Sequence, residues 1–239
     1  DVLQRSFATV SDLSPMPLAY TPGDNDWTDC DRPTLTPGFD ELERLSYVRK
    51  QFAQTQLPLP QFQRQAQLPE NQAWRIDDVQ YVTLHIVGTN NGRAQIYKSQ
   101  ASEALAQVQL RDTLNEQWLS EHAQSDDVSA IVIFFQADIY QRNNYGSPCS
   151  PSQQQQCDGL VHYQALFDEL AQRSNTPVLV VHGDTAEFCF SQRESGLWQL
   201  NAPGDFRVLD IAKVRVNEAD NTPFSISTLL GQVTIAQCK

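Results

Sequence analysis

The chain has 239 residues, 40% of them hydrophobic, which is enough for one sizeable core, and a single domain over 1–239 is expected. Its 17 Lys and Arg stand against 29 Asp and Glu, a net charge of −12 that repels a phosphate backbone and excludes nucleic acid as a partner. The longest apolar runs, such as AIVIFF at 130–135, are strand-sized, so no membrane span is expected.

Residue 1 is Asp and no signal-type segment follows it, so the chain reads as mature or as cut from something longer. Residues 1–13 carry apolar side chains near helical spacing, and PLAY at 17–20 reads as a short buried strand. The acidic stretch PGDNDWTDC at 22–30 then sits at that strand's carboxyl end. FDELERLSYVRKQF at 39–52 is a helix with acids before bases, which suits its dipole. A Gln- and Pro-rich excursion follows, then the strand VQYVTLHIVG and the turn TNNG.

Residues 101–124 form a long helix, and AIVIFFQADIY contains a buried strand. After an insert bounded by Cys149 and Cys157 come the helix GLVHYQALFDELAQRS and the strand PVLVVHGD. The remainder alternates β-prone runs, LWQL, FRVLDIAKVRV, PFSIS and QVTIA, with turns. This order predicts an α/β layer architecture with mixed sheets.

Cys149 and Cys157 flank SPSQQQQ, a spacing that a disulfide closes easily and a zinc site does not favour. Cys189 can pair with Cys238 if the last strand runs beside its own, which leaves Cys30 over. The alternative is reduced cysteines in a cytosolic protein.

Three strand ends present polar groups to one sheet edge: PGDNDW, FFQAD and HGDTAEF. Asp24 and Asp184 are therefore expected to converge on one cleft, with His182 beside them, whereas Asp26 and Asp29 fix the loop's own backbone. Trp27 is a packing residue on this reading, and His85 belongs to the core or supports the site. Asn90 and Asn91 either face a ligand or make the NNG turn. His122 and His162 fall on polar helix faces and are expected to be exposed. An EF-hand is excluded, because Asp29 and Leu35 stand where Gly and Glu are needed. The sequence contains no nucleophile elbow, zincin helix, phosphate-binding glycine loop or dinucleotide fingerprint.

Taken in order, PGDNDWTDC, DELERLSYVRKQF, YVTLHIVGTNNG, QADIY and VLVVHGDTAEF resemble a bacterial branch of the calcineurin-like metallophosphoesterases. The resemblance runs to about residue 227. It implies an αββα sandwich of two mixed sheets and a centre of two divalent metal ions that share an attacking hydroxide. It places Asp24 and Asp184 as metal ligands, with His182 as a catalytic contributor beside them. Asn25 stands at the family's catalytic histidine, and Gln136 at its lone metal-binding histidine. Ala186 replaces a further ligand histidine. Asn cannot donate the proton a leaving group needs, and Gln is a poor transition-metal ligand.

The resemblance also implies an Asp-x-His and a Gly-Asp motif on opening strands that the chain does not contain. An amino-terminal fragment of the same protein is therefore an expected partner. Two functions follow. One is a metal-dependent phosphoesterase outside the cytoplasm, periplasmic or secreted, acting on a small phosphomonoester or phosphodiester. The alternative is a catalytically degenerate binding or structural protein.

Overall fold

The computed structural model describes residues 2–52, 56–123, 127–141, 145–185, 188–203, 210–217, 222–231 and 233–238. A seven-stranded mixed sheet lies at its centre. The strands are β1 (Gln63–Arg64), β2 (Gln72–Ile76), β3 (Val79–Thr83), β4 (Ala130–Phe134), β5 (Val178–His182), β6 (Cys189–Gln192) and β7 (Trp198–Asn201), in the order β1-β2-β3-β4-β5-β7-β6. The pairs β3–β4, β4–β5 and β5–β7 are parallel, while β1–β2, β2–β3 and β6–β7 are antiparallel.

Parallel neighbours need a crossover, and helices supply it for β3–β4 and β4–β5, whereas β5 reaches β7 through β6. Helix α3 (Ala101–His122) connects β3 to β4, and α4 (Val161–Arg173) connects β4 to β5. Both cover the same face. Trp118, Leu119, Tyr163 and Phe167 pack there on Val82, Ile131, Ile133 and Val180. The alternate residues Ala130, Val132 and Leu179 face the other way, onto the antiparallel pair β8 (Ala212–Val216) and β9 (Phe224–Thr228). A strand covered on both faces has no polar side, which is why 130–134 reads as an unbroken apolar run.

The expected architecture holds at the level of a mixed α/β protein. The second sheet departs from expectation, since its described part is two antiparallel strands. QVTIA contributes one bridge rather than a strand, with Ala236 beside Cys189. The proposed strand at 17–20 is absent. Pro17 has no N–H to donate to a ladder, and the segment is held instead by Gln72 Nε2 donating to Tyr20 O (2.8 Å) and by Thr21 Oγ1 donating to Leu84 O (3.3 Å). No helix among the described residues is long and apolar enough to cross a membrane.

Helix α1 (Val2–Leu13) has no buried residue, and Phe7 joins it to Tyr20 and Phe52 through ring contacts of 6.0 and 5.0 Å. Helix α2 (Glu41–Phe52) starts on Glu41 and Glu43, ends on Arg49 and Lys50, and packs Leu45 against Trp27 and Val87. Trp27 is 2% exposed, a packing residue as expected.

Both disulfides form, Cys149–Cys157 and Cys189–Cys238, while Cys30 is a free thiol. Sequence separations of 8 and 49 residues make their chain-entropy contributions about 2–3 and about 4 kcal/mol. Urea denaturation of the paired Ser variants therefore shows a larger loss for C189S/C238S than for C149S/C157S. The reverse order would mean that the longer loop is already constrained in the unfolded chain.

A carboxylate pair bridged by an amide

The motif loop folds as two short 3₁₀ turns, Asp24–Asp26 and Thr28–Asp31. Asp26 accepts the Gly23 N–H (2.8 Å) and the Tyr20 hydroxyl (2.9 Å), and so fixes the loop entrance. Asp29 does not serve its own loop alone. It pairs with Arg32 at 2.5 Å and accepts the Thr89 hydroxyl at 2.9 Å, which carries the loop to the turn after β3.

That turn, Gly88–Gly92, has the hydrogen bonding of one helical turn but the left hand, with φ of 53°, 57° and 56° at Thr89, Asn90 and Asn91. Asn tolerates this region, but the β-branched Thr89 is strained there, and three left-handed non-glycine residues in succession need external support. The side chains supply it. Asn90 donates to Cys157 O and accepts the Gly159 N–H, both at 2.8 Å. Asn91 donates to Asp112 at 2.8 Å and accepts from Arg111 at 3.1 Å. Both Asn side chains are engaged by protein partners, and both residues belong to the turn. The common NNG hairpin turn is replaced by a turn clamped to α3 and to the disulfide insert.

Asp24 and Asp184 converge beyond the strand ends, as does Gln136. Gln136 Nε2 donates to Asp24 Oδ1 at 3.1 Å and to Asp184 Oδ1 at 2.8 Å, while its Oε1 accepts the Gly88 N–H at 2.7 Å. The Gly88 contact fixes the amide's orientation, because a flipped amide would set its NH₂ against that N–H. A β-carbon at Gly88 would collide with both carboxylates, so only glycine fits there. Burial, then the charge of Asp29, raises the Asp24 pKa. Asp184 is exposed but pushed up to about 7, by desolvation on its inner side and by the Asp24 charge. Near neutral pH the pair therefore retains a proton for part of the time.

The two histidines lie elsewhere. His182 is 2% exposed, within reach of Gln199 (3.1 Å) and stacked on Phe135, with Nδ1 3.8 Å from Asp138. Its ring points into the core because the last residue of a strand still obeys the alternation of faces, and this corrects its expected place in the cleft. Burial holds its pKa at about 4 despite the Asp138 charge. His85 is fully buried, with Nδ1 3.0 Å from Glu70, which also accepts from Arg49 at 2.8 Å.

Glu70 was not singled out from the sequence, because a Glu in a Pro- and Gln-rich stretch gives no sign of burial. Asn25 is exposed, its backbone N–H donating to Asp24 Oδ1 at 2.8 Å. His122 and His162 are half-buried rather than exposed, and burial lowers both pKa values. Ala186 lies outside the described residues.

Comparison of the chain with protein-family models, with characterised proteins and with solved structures gave no match in any of the three.

The described donors at the strand ends, two carboxylates and an amide nitrogen, do not fit a centre of two transition metals. No three His, Cys, Asp or Glu side chains among the described residues are grouped to hold an ion. What the arrangement holds is two acids of raised pKa, each accepting from the one Gln136 amide.

Proposed function

We propose that the chain is a catalytically degenerate relative of the calcineurin-like metallophosphoesterases, a non-catalytic binding or structural protein of an oxidising compartment such as the periplasm or the extracellular space. The observation that carries this reading is the Gln136 bridge. In the resemblance Gln136 stands at a ligand histidine, and its NH₂ group donates to both carboxylates at the place where a cation would neutralise them. An amide donor meets the same electrostatic need without a metal, and it leaves no electrophile to polarise a phosphoryl oxygen. Two disulfides support the compartment.

The enzymatic reading, in which ligands from outside this chain join Asp24 and Asp184, draws on the convergence of those two carboxylates. Metal analysis separates the readings. After incubation with Zn²⁺ or Mn²⁺ and dialysis, the protein is expected to retain well under one equivalent and to leave p-nitrophenyl phosphate intact. Stoichiometric metal, with hydrolysis that Asp24→Asn removes, would overturn the proposal.

A further inference from the structure

A cleft of about 450 Å³ opens where α1, the 15–18 segment, the end of α2 and the start of the Gln- and Pro-rich excursion meet. It shares no lining residue with the carboxylate pair, so its reading does not depend on the previous one. The volume lies in the range of small-molecule sites, and so does the character of the lining, apolar and aromatic with a few placed polar groups.

Phe7, Tyr20 and Phe52 form one wall, with ring centroids 5.0 Å apart for Phe7–Phe52 and 4.9 Å for Tyr20–Phe52. Pro15, Pro17 and Pro58 contribute walls of fixed φ, which makes the shape largely preformed. Arg64 supplies the single charge among the described lining residues, its Nη1 donating to Pro69 O at 3.3 Å and its guanidinium lying over the Phe62 ring. In a chain of net charge −12, a cleft lined by one cation and no acid is an anion-selective feature. Gln72, 2% exposed, closes the inner side of the cleft with its amide N–H on Tyr20 O.

We infer that this cleft is a binding site for a small aromatic monoanion, its ring against Phe7, Tyr20 and Phe52 and its charge toward Arg64. The cleft places flat apolar surface beside one guanidinium, and that combination favours such a ligand over a neutral hydrocarbon or a polyanion.

The probe is 1-anilinonaphthalene-8-sulfonate, an aromatic monoanion with one N–H donor, compared with the uncharged N-phenyl-1-naphthylamine. Fluorescence titration is expected to give one site for the anion. Arg64→Gln weakens the anion about tenfold and leaves the neutral probe unchanged, since loss of one partly buried charge pair is of that order. Arg64→Lys keeps most of the preference for the anion. Ser11→Trp, which fills the cleft from α1, abolishes binding of both probes while circular dichroism shows the fold intact. No saturable site, equal effects of Arg64→Gln on both probes, or binding that survives Ser11→Trp in a folded protein would each overturn the assignment.

Discussion

Replacing Glu70 by Leu is expected to cost about 3–5 kcal/mol, the largest loss for any single polar substitution in this chain. Glu70 is 2% exposed, accepts from Arg49 and lies 3.0 Å from His85 Nδ1, so its removal takes away the carboxylate that faces a fully buried imidazole and a guanidinium. Glu70→Gln keeps an acceptor and costs less. The dependence on pH has a definite sign. Burial raises the Glu70 pKa, but contacts with His85 and Arg49 outweigh it and hold the group at about 2, below its ordinary value. Its contribution is thus present above about pH 4.5 and is lost as pH falls toward 2. Burial holds His85 at about 4, so the neutral ring's contribution is present above 6.5 and fades as pH falls through 4. Urea midpoints at pH 7 and pH 2 test both points. A Glu70→Leu loss as large at pH 2 as at pH 7 contradicts the ionised pairing.

The carboxylate pair shows the opposite sign. The folded-state pKa of Asp184, about 7, lies above its ordinary 3.8, so between these values the folded protein binds the extra proton and stability falls as pH rises. Asp184→Asn is expected to stabilise the protein at pH 8 by about 1–2 kcal/mol, a figure reduced for the solvent on the group's open side, and to change little near pH 4. Gln136→Leu removes both donors and leaves the Gly88 N–H without an acceptor. It costs about 2–4 kcal/mol at pH 8, less at pH 5 where a proton can sit between the acids, and Asp184→Asn restores part of it. Equal losses at both pH values, with no rescue by Asp184→Asn, would show that the bridge is not the source of the effect.

Helices and buried strands are legible in this sequence where one pattern dominates. Residues 130–134 are apolar throughout because both faces of β4 are covered, and α2 shows its acids and bases at the ends the dipole favours. The edge logic accounts for Gln136 and Asp184, whose loops leave one side of the sheet, whereas Asp24 meets them from a 3₁₀ turn with no strand before it. What was not legible depends on which way a side chain turns. His182 and Asp184 are two residues apart, and only the left-handed φ of 72° at Asp184 sends its carboxylate to the cleft while the His182 ring enters the core. The left-handed turn at Gly88–Gly92 was equally hidden. Its conformation is imposed by Asp112, Arg111 and the disulfide insert, all remote in sequence. Glu70 meets its partners, Arg49 and His85, 21 and 15 positions away on opposite sides, so no local spacing announces the cluster.

The bond between Cys189 and Cys238 reaches beyond loop entropy. β6 is the outermost strand on its side of the sheet, and Phe190 N and Phe188 O are already engaged by Ala236, at 2.9 and 3.0 Å. The disulfide tethers the tail that occupies these groups, so the backbone a foreign strand would need for pairing is taken by the chain's own end. In a reducing environment that occupancy rests on hydrogen bonds alone. The cysteine pair thus holds in place the segment that covers this stretch of the sheet edge.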